Sequence, residues 1–233
     1  MADTKWLVIK RKTIILALAG LILLFAAYRA TDSYRARIMS LPAEKFQSVL
    51  NNTLNSESFH FSVKVKMGDR LISDIEGKKA GPDKIHITGT MQNMPVEFIN
   101  TEGKSYIKGY WSKNWAVLQN DKLVDSELFI AELNPMVSFV FKDIPQIKRL
   151  NTEKVAGEEL LVLEMRPIVE NPLMQLNYHD FMYRVWVEPQ KELIRKAHIT
   201  AAGKNGNRDR LEIVIELWDY NKQIKISPPD KLN

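Results

Sequence analysis

The sequence predicts a mainly β (α+β) fold: a curved antiparallel sheet or open barrel with an N-terminal helix and helices inserted between strand groups, preceded by one transmembrane helix. Three observations carry this expectation. Phe59, Phe61, Val63, Val65 and Met67 alternate with His60, Ser62, Lys64 and Lys66, the period-2 pattern of a strand with one wet face. Leu211, Ile213, Ile215 and Leu217 repeat that pattern near the other end of the chain. Thr13 to Tyr28 reads TIILALAGLILLFAAY, sixteen residues without a charge.

As a helix, that run spans about 24 Å, against a hydrocarbon core of about 30 Å. Flanking Lys12 and Arg29 snorkel to cover the difference. A buried globular helix keeps a polar face, and this run has none. Lys5, Lys10, Arg11 and Lys12 precede it, while Arg29, Arg35 and Arg37 come after it, a bias that places the N-terminus inside. The rival reading is a cleaved signal peptide. Ala17-Leu18-Ala19 leaves too short an apolar run before it, and Phe25-Ala26-Ala27 puts a bulky residue where a small one is needed. Both readings export the rest of the chain. The expected divisions are a cytoplasmic basic tail at 1–12, a transmembrane signal-anchor at 13–29, a linker at 30–41, and an extracytoplasmic domain at 42–230. The expected location is the cell membrane, single-pass, with the C-terminal domain outside.

Within that domain, Pro42 suits the first turn of a helix. Phe46, Val49, Leu50 and Leu54 fall on one helical face. Strands begin at Phe59, with turns at Gly68-Asp69, Gly81-Pro82-Asp83 and Gly103. Ile85, Ile87, Gly89 and Met91 continue the meander, Val96 and Phe98 carry the next strand, Ser105 to Lys108 returns, and Trp115 to Leu118 adds one more. Ser126 caps a helix carrying Leu128, Phe129, Ile130 and Leu133. Pro135 kinks or restarts it, and Met136 to Phe141 is unusually apolar for a connection. Further strands are expected at Ile147 to Val155, Leu160 to Arg166, Phe181 to Glu188, Leu193 to Ala201 and Arg210 to Asp219, with a short helix or loop at Asn171 to Leu176. About ten meandering strands spaced by about 8–14 residues match one curved sheet or open barrel.

Composition narrows the function classes. The net charge is +5, which fits nucleic acid or an anionic membrane surface. The cations form no basic stripe, which argues against nucleic acid, and Lys5, Lys10, Arg11 and Lys12 serve topology, leaving little surplus for the domain. There is no cysteine, so disulfides, thiolate metal sites and a lipid-accepting cysteine are excluded. His60, His86, His179 and His198 show no metal-ligand spacing. His179-Asp180 is adjacent in sequence, but neighbours on a strand point apart, so no dyad is expected. No serine has a nucleophile-elbow context and no glycine-rich phosphate loop exists. A metal, a cofactor and an enzyme activity are all unexpected.

Three segments carry a resemblance. AEKFQSVLNNTLNSESFHF (43–61) looks like an opening helix running into a first strand; SYIKGYWSKNW (105–115) looks like a central strand with an aromatic Y-x-K…W pattern; and 211–229, ending WDYNKQIKISPP, looks like a closing strand with an I-x-x-P exit. In this order the chain resembles the LolA/LolB-like superfamily of lipoprotein carriers, which includes LppX-like and LprG-like proteins and the regulator RseB. The resemblance covers about 42–230. It departs at the N-terminus, where neither a lipidated cysteine nor a convincing cleavage site is present. It implies a half-open β-barrel closed by lid helices over an apolar cavity, with Leu128 to Phe141 as the lid.

In that picture the ligand is a lipid or lipoprotein acyl chain. Burial of each methylene contributes about 0.8 kcal/mol, so such a site needs no polar motif. The expected lining is Phe129, Leu133, Met136, Phe139 and Phe141, with Met91 and Phe98 from the sheet. The simpler alternative is that the same residues only seal a core. Tyr106, Tyr110, Trp111 and Trp115 form either a cavity mouth, a membrane-facing patch or ordinary strand packing. Expected partners are the membrane, a lipid or acyl chain, and an envelope protein. The alternative function is a protein-binding adaptor or envelope-signalling regulator on the same fold.

Overall fold

The computed structural model describes residues 20–25, 29, 43–109, 113–118, 134–204 and 209–230. The chain divides into two compact units, Met1–Leu41 and Pro42–Asn233. In the first unit, residues 20–25 are helical. Leu21, Ile22, Leu23, Leu24 and Phe25 are 60–73% exposed, and the Arg29 guanidinium lies 5.5 Å from the centroid of the Phe25 ring. Most of the expected transmembrane run, residues 13–19 and 26–28, lies outside the described residues. Among those described, no helix is long and apolar enough to cross a membrane.

The second unit begins with α1 (Ala43–Leu54). Phe46, Val49, Leu50 and Thr53 are buried on it, and Leu54 is 36% exposed. The inward stripe therefore keeps the i, i+3, i+4, i+7 period with Thr53 in the last place, and Leu54 falls at the rim rather than on the inward face. A first meander comes next: β1 (Ser58–Met67), β2 (Arg70–Ala80), β3 (Lys84–Met91), β4 (Met94–Thr101), β5 (Lys104–Lys108) and β6 (Ala116–Leu118). Two hairpins in it turn on two residues with positive φ, Gln92-Asn93 and Glu102-Gly103, the backbone that matches the twist of paired strands.

The 3-10 helix η1 (Pro135–Phe139) leads into β7 (Phe141–Asp143), β8 (Ile147–Arg149), β9 (Glu153–Val155), β10 (Glu158–Met165), β11 (Ile168–Val169) and a short helix α2 (Pro172–Asn177). The long antiparallel strands β12 (Tyr178–Glu188), β13 (Leu193–Gly203) and β14 (Leu211–Trp218) end the ladder. The expected helix from Ser126 to Leu133 lies outside the described residues. The apolar stretch after it is not helical to its end. Pro135 occupies the first helical position of η1, Val140 is extended, and Phe141 pairs with Val169 across a small β7–β11 ladder. The strand expected over Ile147 to Val155 is two short strands, because β8 pairs with one half of β10 and β9 with the other.

The main sheet has twelve strands in the order β6-β5-β4-β3-β2-β1-β14-β13-β12-β10-β8, with β9 also on β10. It is curved and not closed. Every pairing is antiparallel, and β1 lies against β14, joining the two meanders. The register puts the apolar positions on one face. Phe61 is opposite Gly77, Gly77 opposite Ile87, and Ile87 opposite Phe98. The row through Val63, Ile215, Ala197, Val185 and Leu163 continues that face into the second meander. Gly77 is required here. A Cβ at that position would come within 2.8 Å of Ile87 Cγ2 and closer still to the Phe61 ring.

The other face carries two satellite clusters. Leu160, Val162 and Trp186 pack with Leu150 and Val155, and Trp186 Nε1 donates to Glu153 at 2.8 Å. Ile99 and Tyr106 pack with Ile226 of the C-terminal tail, with Trp115 beside them. The tail is held where it leaves β14: the Glu57 N–H donates to Asn221 Oδ1 at 2.9 Å and Ser58 Oγ to the Lys222 carbonyl at 2.6 Å.

Candidate functional site

On the apolar face, α1 is tied to the start of β13 and to the turn before it. Thr53 Oγ1 accepts the Ile194 N–H at 3.0 Å, beside the register shift between Trp186 and Val187. Ser48 Oγ donates to Glu192 at 2.7 Å. The shift matters because a bulge disturbs the regular ladder, and the threonine hydroxyl supplies the partner there. Tyr220 reinforces the same spot, its hydroxyl donating to the Ile194 carbonyl at 2.5 Å. Burial pushes the Tyr220 phenol well above its ordinary range.

Between α1 and the η1–β7 segment lies a cavity of about 330 Å³, at the lower end of the usual ligand range of about 300–1,000 Å³. One wall is the α1 residues Phe46, Leu50 and Leu54; the other is Phe139, Val140 and Phe141; Ile144 and Ile147 close one end. Its polar positions are Gln47, Lys142 and Asp143. The wall exists because Pro135 starts η1, which buries Met136 and Phe139, and the extended Val140 then swings Phe141 outward. Phe141 stands edge-on to Tyr183, with ring centroids 5.1 Å apart and planes at 87°.

Polar atoms in this region are unsatisfied. The Tyr183 hydroxyl, Ser138 Oγ and Asn134 Oδ1 are buried without a hydrogen-bond partner among the described residues. Burial raises the Tyr183 phenol far above its ordinary value. Unpaired buried polar atoms are rare in native proteins and mark a hydration site, a ligand contact or stored strain.

Of the expected lining residues, Phe139 and Phe141 come together at this cavity. Met136 is buried on η1 without lining it. Met91 and Phe98 are buried in the first meander and also do not line it. Phe129 and Leu133 lie outside the described residues. Sequence reasoning missed Ile144 and Ile147, because a cavity wall made from short irregular strands has no period to read. It also missed Thr53, although a hydroxyl at the fourth place of an apolar helical stripe is a legible signal for a buried hydrogen bond.

The histidines require one correction. His179 Nδ1 lies 2.8 Å from Asp180 Oδ2, so these neighbours do meet. Asp180 has φ +53° at a register shift between His179 and Met182, and the bulge breaks the alternation that would have separated them. Both side chains are exposed, at 45% and 73%, as for a surface pair. His60, His86 and His198 each face a carboxylate, Asp219, Glu97 and Glu212 respectively, at 2.9–3.4 Å. No cluster of three metal-ligating side chains occurs among the described residues.

No known family profile matches the chain, and no curated protein does. Solved structures do. The lipoprotein LppX of Mycobacterium tuberculosis aligns over 80% of this chain and 100% of its own, with 14% identity and a TM-score of 0.53. LprF from Mycobacterium bovis aligns over 81% of this chain and 98% of its own, with 13% identity and a TM-score of 0.51. At such identities the likeness is one of fold.

Proposed function

Because the chain has the LolA/LolB-like fold in its LppX-type form, we propose that it is a membrane-anchored, extracytoplasmic binding protein for lipid or lipoprotein acyl chains. The observation that carries the reading is the cavity between α1 and η1–β7, where Phe46, Leu50, Leu54, Phe139 and Phe141 stand beside the polar Gln47, Lys142 and Asp143. A cavity of this composition gains affinity from area, at about 0.8 kcal/mol per buried methylene. Gln47, Lys142 and Asp143 on its lining offer partners to the polar end of such a ligand. The protein acts by holding and presenting its ligand, which requires no catalytic constellation. The anchor is residues 13–29, supported by the exposed apolar side chains of residues 21–25, a surface that favours hydrocarbon over water.

The test is a fluorescent fatty-acid titration, with lipid extraction, on purified residues 42–233. Saturable binding is expected, and Phe141→Asp, at a half-buried wall position, should weaken it about tenfold or more. Absence of both extracted lipid and saturable probe binding would overturn the reading, as would an unaffected Phe141→Asp protein.

A further inference from the structure

A larger groove lies on the opposite face of the sheet, away from the apolar cavity. Its volume is about 790 Å³, and it runs between β2–β5, the Lys113–Trp115 loop and the tail from Lys225 to Asp230. The register explains how it forms. On the outer face, Lys78 is opposite His86 and Glu97 opposite Lys108, so two charged rows lie side by side. The tail then crosses those rows because Ile226 is buried against Ile99 and Tyr106. Crossing there brings Lys225 over the sheet to face Lys78 and Lys108 across the groove.

The charges do not cancel. Lys78, Lys108, Lys113 and Lys225 line the groove, and none has an ion-pair partner among the described residues. Glu97 and Asp230 also line the groove, with Glu97 3.0 Å from His86 Nε2, so the lysines outnumber the carboxylates. Lys108 Nζ stands 5.9 Å from the Trp115 ring centroid, a cation–π contact that leaves its charge uncompensated. A cleft with an excess of positive charge focuses potential and concentrates anions, and lysine ammonium groups act on phosphate as point charges.

We propose that this groove binds a phosphate-bearing organic anion. Its lysines would hold the phosphate, and the half-buried Trp115 face would hold the organic part. The volume exceeds what a bare phosphate ion fills, which is why the ligand is organic. Two sources share this chemistry, a phospholipid headgroup and a free phosphorylated solute.

The experiment is calorimetric titration of the full chain in neutral detergent at low ionic strength. The two probes are glycerophosphoglycerol, which is a headgroup without its acyl chains, and glucose 6-phosphate, a free phosphorylated solute. Saturable binding of at least one is expected, weakening as salt is added. Tighter binding of glycerophosphoglycerol assigns the lipid source, and tighter binding of glucose 6-phosphate assigns the solute. The combined K78Q, K108Q and K225Q substitutions should weaken binding about tenfold or more, while Lys64→Gln, on the outer face of β1, should leave it unchanged. Should the triple variant fail to fold, Lys225→Gln alone, exposed on the tail, decides by a severalfold loss. No binding of either probe, or equal affinities in wild type and variant, would overturn the proposal. Since neither probe has an acyl chain, that failure would leave the apolar-cavity reading standing.

Discussion

Tyr183 has no exposed surface, and its hydroxyl has no partner among the described residues. An unpaired buried hydroxyl costs about 1–3 kcal/mol, so Tyr183→Phe should stabilise the domain at neutral pH by about 1 kcal/mol or more. The pH dependence has a definite sign. Burial raises the folded-state phenol, so above about pH 10 the unfolded chain releases a proton that the folded chain keeps. Stability therefore falls as pH rises through the unfolded value, and Tyr220 adds a slope in the same direction. Urea denaturation at several pH values between about 8 and 11 should show this fall, and Tyr183→Phe should flatten it. A Phe variant that is less stable at pH 7 would mean the hydroxyl has found a partner. None of this was legible in the sequence: Tyr183 lies in a strand whose alternation gives its face, but only packing says whether its oxygen meets a donor. The His179–Asp180 contact was unreadable for a related reason, since a bulge cancels alternation at one residue without a composition signal.

At the scale of elements, α1 is held by apolar burial and by the hydroxyls of Ser48 and Thr53. Thr53→Val keeps the shape of the side chain and leaves the Ile194 N–H without its partner. That should cost about 1–3 kcal/mol, read as a lower urea midpoint with unchanged slope. The helix itself was visible in its period, and so were most strands, because β14 alternates throughout and β1 does so from Phe59 onward. The segment from Pro135 to Val155 was not. Its apolar residues are consecutive rather than periodic, and short elements such as η1, β7, β8 and β9 are defined by their pairing partners. A proline at the start of η1 permits either a kinked helix or a short turn, and the β7–β11 pairing chooses the second.

Across the whole domain, the strands nearest the two ends of the ladder in sequence, β1 and β14, are neighbours at its middle. Each is hydrogen-bonded on both sides, while β6 and β8 end the order. Opening an inner strand breaks two ladders and exposes Phe61, Val63 and Ile215, all fully buried, whereas an edge strand loses one. Hydrogen exchange should therefore be slowest at the amides of β1 and β14 and fastest at β6 and β8, in line with the usual spread from edge to core. Equal protection across the sheet would contradict the order of strands. The joining of two meanders through the first and last strands makes one apolar face continuous, with α1 tied to it through Thr53.

The sequence by itself determined the mainly β class, the face each long strand turns inward, the opening helix and the apolar sixteen-residue run. These depend on local period and composition, which survive being read along a line. Only the tertiary structure decided that Phe139 and Phe141 meet α1 across a cavity, that Thr53 satisfies a bulge in β13, and that lysines from β2, β5 and the tail share a groove. Each of these joins residues far apart in the chain, and their meeting is fixed by the order and register of strands, which no local pattern encodes.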